Sequence, residues 1–268
     1  MREKQLAFLA PIRDRVLQNA EIAPGDTVLD VGAGDGLIAF GALDRVGTSG
    51  TVVFSDISRD LLDHCRALAR ELGVAERCRF LEAPADNLAA CADASVDVVT
   101  LRSVLIYVEA KQPAFDEFYR VLKPDGRLSL FEPINRFSHA PDNVFRGYDV
   151  APVRALVKKV SAVYGDLQPA TDPMLDFDER DLFRMTEKAG FHVVRLELQA
   201  KTAPLPAVAW QTFIRMAPNP RVPTLEEAMR QALTAAEIDM VIGRLRPQVE
   251  AGRGTGRSAV AYLQAFKR

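Results

Sequence analysis

The sequence predicts an α/β protein: a doubly wound, mostly parallel seven-stranded sheet with a helical cap formed by insertions. Three observations carry that expectation. From Asp26 onward, short β-rich runs alternate with stretches whose apolar residues recur at helical spacing, as strands joined by crossover helices do. The first run ends in a glycine-rich turn, Gly32-Ala-Gly-Asp-Gly36, where a strand would hand over to a helix. Two long segments, 133–177 and 201–256, break the alternation.

The elements follow in order. Strand-like runs occupy 27–31, 51–55, 79–82, 96–101 and 127–131. After the second, Ser58 is placed to cap a helix in which Leu61, Leu62, Cys65, Leu68, Ala69 and Leu72 recur at helical spacing, and Gly73 can adopt the left-handed conformation that ends it. Pro113 suits the first turn of another helix, with Phe115, Phe118, Tyr119 and Leu122 on its buried face. Lys123-Pro124-Asp125-Gly126 reads as a stop and a turn before the fifth strand. Asp178 then caps a helix carrying Leu182, Phe183, Met185 and Ala189 and ending at Gly190. Residues 192–198 alternate as a strand does, and 258–266 complete the sheet. Within 201–256, Thr224 with Glu227 and Thr234 with Glu237 form two successive capping boxes, so two helices are expected, the second ending near Pro247. The expected division is a core of 21–134, completed by 178–200 and 257–268. Residues 1–20, 135–177 and 201–256 are then left as a mobile cap over the binding cleft.

Composition narrows the function classes. With 48% hydrophobic and 26% charged residues, the 268-residue chain can bury a large core. The 34 basic and 36 acidic side chains leave a net charge of −2, which provides no general field toward nucleic acid or anionic lipid. No apolar run approaches the ~20 residues that cross a bilayer, and Arg13, Asp14 and Arg15 follow the N-terminal residues before any apolar stretch of signal-peptide length. A cytoplasmic protein is the expectation. Cys65, Cys78 and Cys91 are evenly spaced and form no CxxC, so they read as small buried hydrophobes rather than disulfides or zinc ligands. There is no HExxH and no paired histidine at ligand spacing, and no metal is expected.

The glycine turn discriminates between ligands. Glycines at spacing two let the main chain turn sharply and approach a ligand without Cβ interference. A dinucleotide fingerprint needs a third glycine where this chain has Leu37, and a phosphate-binding P-loop needs a Gly-Lys-Ser/Thr that is absent. The pattern is instead Asp-x-Gly-x-Gly-x-Gly, with Asp30 at the strand end. A second acidic residue, Asp56, lies at the end of the next strand, 20 residues beyond Gly36. A carboxylate there can accept both hydroxyls of a ribose.

These motifs, in this order, resemble the class I S-adenosylmethionine-dependent methyltransferases, which have a Rossmann-like fold. The resemblance rests on Val28 to Gly36, on Phe54-Ser-Asp-Ile-Ser58, on Val96 to Arg102, and on Arg120-Val-Leu-Lys-Pro-Asp-Gly-Arg-Leu128. It implies S-adenosyl-L-methionine as cofactor, with Gly32, Gly34 and Gly36 as a backbone wall around its methionine part. Asp30 would orient the loop and help position the ammonium group. Asp56 would hold the ribose hydroxyls, and Ile57 would pack on the adenine. Where similar proteins read the adenine edge with a short polar side chain and the next amide, this chain has Pro84 and Ala85, a departure; Asp86 is the candidate for the side-chain role. Arg102 matches a position whose main chain lines the methionine pocket.

Methyl transfer from a sulfonium is an in-line displacement, so alignment and water exclusion dominate, and a base is needed only for a protonated nucleophile. Candidate bases are Tyr107, Glu132 and His139, with Tyr148 and Asp149 further on. Tyr107 reads equally as a pocket wall, and Glu132 as a group that orients the next loop. The acceptor is expected to be a small, apolar or amphipathic molecule rather than nucleic acid, because the insertion 134–177 balances five basic residues against five acidic ones. A non-catalytic cofactor-binding regulator and a nucleic-acid or protein methyltransferase are the alternatives.

Overall fold

The computed structural model describes residues 2–138, 141–218 and 222–268. The chain runs through α1 (Arg2–Asn19), β1 (Thr27–Val31), α2 (Leu37–Val46), β2 (Thr51–Asp56), α3 (Arg59–Glu71), β3 (Cys78–Glu82), β4 (Val96–Arg102), α4 (Lys111–Val121) and β5 (Leu122–Pro133). It continues through the short pair β6 (Val144–Phe145) and β7 (Tyr148–Asp149), then α5 (Arg154–Leu167), α6 (Glu179–Ala189) and β8 (Val193–Pro204). The last elements are α7 (Trp210–Ile214), α8 (Leu225–Ala232), α9 (Ala235–Glu250) and β9 (Thr255–Phe266). Seven strands form one sheet in the order β3-β2-β1-β4-β5-β9-β8. The first five pair in parallel, and β9 lies antiparallel to β5. β8 also runs against β9, since His192 N donates to Phe266 O at one end and Leu205 N to Gly254 O at the other. The strand order reverses between β1 and β4, the switch point at which open α/β sheets bind ligands.

The chain divides into two compact units: 1–133 with 177–198 and 260–268, and 134–176 with 199–259. In the first unit, α1, α2 and α3 share a core with one face of the sheet. Val28, Val98, Phe54 and Phe131 point into it, and the neighbouring Leu29 and Val99, equally buried, serve the opposite face by strand alternation. Right-handed crossovers put α4 on that opposite face, where it buries Ala114, Phe115, Phe118 and Val121 and packs with α6, Tyr119 meeting Phe191 edge-on. The first 20 residues, expected with the cap, fall instead in this unit. Val16, Leu17 and Ala20 are buried in its core, Ser129 Oγ donates to Val16 O at 2.8 Å, and Gly41 leaves no room for a Cβ beside Leu17, whose Cδ1 would lie 2.7 Å away.

Four local expectations are met by named bonds. Ser58 Oγ accepts from Leu61 N, Asp178 caps α6 in a box with Asp181, and both threonine capping boxes are present. One other is corrected: the turn at 123–126 is a bulge inside β5, where the pairing with β4 shifts and Asp125 takes φ +62°. The second helix of the 201–256 segment ends near Pro247 as expected, α9 running through that proline to Glu250. The residue four before this proline is Gly243, and the fully buried Leu245 and Val249 hold the last turn in place. In the second unit, α5, α7, α8 and α9 pack around Val157, Val160, Trp210, Phe213, Leu225 and Val241.

Candidate cofactor and active site

A cleft of about 610 Å³ opens at the carboxyl ends of β1 to β4 in the first unit. The glycine turn forms one wall. Gly32, Gly34 and Gly36 all have positive φ, +64°, +57° and +83°, the left-handed region that side chains resist. They differ in what surrounds them. A Cβ on Gly32 would lie 2.4 Å from Val104 Cγ2, and one on Gly36 would meet the Phe40 ring at 2.5 Å, so these two glycines permit protein to pack against the turn. A Cβ on Gly34 would meet no protein atom within 4 Å, because that side faces the cleft.

Asp56 adjoins that turn. Its Oδ2 accepts from Gly34 N at 2.8 Å and its Oδ1 from Ser58 N at 2.9 Å. Each oxygen keeps acceptor capacity for a ligand hydroxyl. Ile57 beside it is 73% exposed, a large apolar surface facing open space. Ala83, Pro84, Ala85 and Asp86 continue the lining, and Ala83 N donates to Asp56 O at 3.1 Å. Arg102, Ser103, Val104, Tyr107, Val108 and Glu109 close the cleft from the end of β4.

Two acidic residues stand behind this lining rather than in it. Asp30 is 2% exposed, with Oδ1 accepting from Thr100 Oγ1 at 2.8 Å and Oδ2 from Ala39 N at 3.1 Å. It therefore ties the end of β1 to β4 and to the first turn of α2. Burial pushes its carboxyl up to about 7, against the pull of those hydrogen bonds. Glu132, at the end of β5, is fully buried. Its Oε1 accepts from Val104 N at 2.8 Å and Leu105 N at 2.9 Å, whereas Oε2 has no hydrogen-bond partner. Burial raises this carboxyl to about 7 as well. Ser103 N donates to Phe131 O at 2.9 Å, so the chain after β4 is held twice by the end of β5.

Of the sequence candidates, Gly32, Gly34, Asp56, Ile57, Ala85, Asp86, Arg102 and Tyr107 converge on the cleft. Gly36, Asp30 and Glu132 support it from outside. Tyr107 is 61% exposed there. His139 lies outside the described residues. In the second unit, Tyr148 is a core residue packed edge-on against Phe213, and Asp149 forms an ion pair with Arg244, so neither is a ready base. Burial raises the Cys65 thiol to about 11, which suits a structural thiol. Sequence reading missed Ala83, Ser103, Val104, Val108 and Glu109. The signal was available for the last four, because the loop after the strand at a switch point borders the ligand crevice.

The residues fit S-adenosylmethionine: an open glycine wall, a carboxylate with spare acceptor capacity, an exposed aliphatic surface beside it and a cleft of suitable size. Comparison with known proteins agrees. The model of the ubiE/COQ5 methyltransferase family matches residues 11–210. The chain is 30% identical over 194 residues to the ubiquinone/menaquinone biosynthesis C-methyltransferase UbiE of Brucella anthropi, covering 72% of this chain and 70% of that protein. It is 32% identical over 168 residues to the nocamycin O-methyltransferase of Saccharothrix syringae, covering 63% of this chain and 57% of that one. Among solved structures, the YcgJ protein of Bacillus subtilis superposes with a TM-score of 0.58 at 18% identity, covering 96% of this chain and 97% of its own, which shows the shared fold. The chain thus belongs to the ubiE/COQ5 methyltransferase family and is an S-adenosylmethionine-dependent methyltransferase.

Proposed function

We propose that the protein methylates a small, apolar or amphipathic organic acceptor, using the cleft at the switch point to hold the donor. The open space at Gly34, facing the carboxylate of Asp56, is the observation that carries this reading. In it, Asp56 accepts the ribose hydroxyls, Ile57 packs on the adenine, Ala85 and Asp86 border its edge, and Gly32, Gly34 and Arg102 enclose the methionine part. The bound donor supplies a sulfonium whose methyl group is open to in-line displacement. The chain's own contribution is alignment. Asp30 fixes the glycine turn against α2 and β4, and Glu132 fixes the loop that carries Val104 and Tyr107. Glu132 is thus a positioning residue rather than a base, because it is sealed from the cleft and one oxygen already serves two amides. Tyr107 stands at the cleft as a group able to relay a proton, beside the carboxylates of Asp86 and Glu109.

The acceptor class is supported by two considerations. The matched relatives are named as a C-methyltransferase of ubiquinone/menaquinone biosynthesis and as a nocamycin O-methyltransferase, names that point to small-molecule acceptors. Net charge is −2, and Lys158 and Lys159, the one dibasic pair of the insertion 134–177, are engaged by Asp142 and Glu237. Incubation with methyl-labelled S-adenosylmethionine and a cell extract, followed by organic extraction, is the test. Label in an organic-soluble product of low mass is expected. Label confined to protein or nucleic acid would refute the reading.

A further inference from the structure

The second unit contains an arginine whose setting the methyl-transfer chemistry does not use. Arg146 lies on the tight connection between β6 and β7 and takes φ +49°, a left-handed conformation that costs a non-glycine residue of order 1 kcal/mol or more. The next residue, Gly147, has φ +89°, and a Cβ there would sit 2.6 Å from Thr255 O, so the connection is pressed against β9. This geometry turns the guanidinium inward. It stacks near the rings of Tyr164 and Phe145, at 5.3 and 5.6 Å, and donates to Tyr164 Oη and Met216 O, both at 2.9 Å. Those two partners are neutral oxygens. Burial lowers the pKa of this guanidinium.

Arg146 lines two cavities within this unit. One, of about 490 Å³, is also bordered by Arg253, Arg257, Gly147, Thr255 and Gly256. Among the described residues that line it the carboxylate is that of Asp149, which is ion-paired with Arg244. The other, of about 440 Å³, is walled by Leu205, Pro206, Val208, Phe213 and Met216. A forked cation favours carboxylate or phosphate oxygens, which take parallel N–H bonds from it. We propose that the second unit binds a small amphipathic organic anion, its carboxylate or phosphate held by Arg146, Arg253 and Arg257 and its apolar group seated among Leu205, Val208 and Phe213. The proposal concerns binding alone and stands whether or not that anion is methylated.

Titration calorimetry on the full chain with hexyl phosphate, inorganic phosphate and hexanol is the test. Hexyl phosphate should bind once per chain, at least about tenfold more tightly than either partial probe. Arg146→Met should weaken it by about tenfold or more. Because Arg146 also packs on Tyr164, the double variant Arg253→Ala/Arg257→Ala provides a second arm: both side chains are exposed, so it is expected to fold and to lose about tenfold as well. Absent binding, equal affinity for hexyl phosphate and inorganic phosphate, or full affinity in the folded double variant would overturn the proposal. Sedimentation with phosphatidylcholine vesicles containing phosphatidic acid separates the possible sources of phosphate. Capture by those vesicles without binding of soluble hexyl phosphate would also overturn it.

Discussion

Asp56 bonds the cleft together and, in the proposed function, also holds the donor, so removal of its carboxylate ends both. Its oxygens accept from Gly34 N and Ser58 N and, on that proposal, from the ribose hydroxyls. Charged hydrogen bonds contribute roughly 1.5 to 3 kcal/mol each, so Asp56→Ala should weaken S-adenosylmethionine binding by about tenfold or more in a calorimetric titration; unchanged affinity would remove the ribose assignment. Glu132 supports a different prediction. Its carboxyl is near 4.5 when unfolded and about 7 when folded, so between those values the folded chain retains a proton that the unfolded chain has lost. Stability from this residue is therefore present at low pH and falls as pH rises toward 7, by on the order of 1 to 3 kcal/mol. Asp30, also raised to about 7, acts in the same direction. Glu132→Gln keeps an oxygen for Val104 N and Leu105 N, and urea unfolding at pH 5 and 7 should show a smaller loss of stability than in the parent chain. An identical loss in both would contradict the burial argument.

At the level of elements, the caps are the most exposed to test. Thr234 Oγ1 accepts from Glu237 N, and the Glu237 carboxylate accepts from Thr234 N while pairing with Lys159 of α5. Thr234→Ala should cost about 1 kcal/mol of unfolding free energy, measured by denaturant titration; a neutral result would mean that packing of Leu245 and Val249 alone holds α9. This cap was legible in the sequence because its signal is local, four residues long, and the same holds for the caps at Ser58, Asp178 and Thr224. The strands were legible for a related reason, since a strand buried on both faces declares itself as a run of Val and Leu. Elements whose place depends on distant partners were harder to read. α1 carries Pro11 and several charges, and its contacts with distant residues such as Gly41 and Ser129 place it against the core. The loop after β4 is set by Glu132, 27 to 28 residues further along the chain. No spacing rule in the sequence links those positions, so Glu132 could be singled out as a candidate without its actual hold on the loop being visible.

For the whole molecule, the sequence and the fold point to the same function through one feature, the switch point between β1 and β4. The order of four motifs was enough to expect the sheet and the donor, because those motifs build the crevice common to the fold. The acceptor was not legible in the same way, since the insertions carry no motif of known chemistry. Among the described residues no helix is long and apolar enough to cross a membrane, and the balanced charge bears on partners. Filter binding with mixed RNA and DNA at low salt should show no saturable uptake at micromolar concentration; uptake abolished by salt would favour a nucleic-acid acceptor. In the proposed function the donor lies against Gly34 in the cleft of the first unit. Titration of S-adenosylmethionine into the parent chain and into Gly34→Val, with circular dichroism to establish that both are folded, is the test. One donor should bind per parent chain and none detectably to the folded variant, whereas undiminished binding by Gly34→Val would mean that the donor does not lie there.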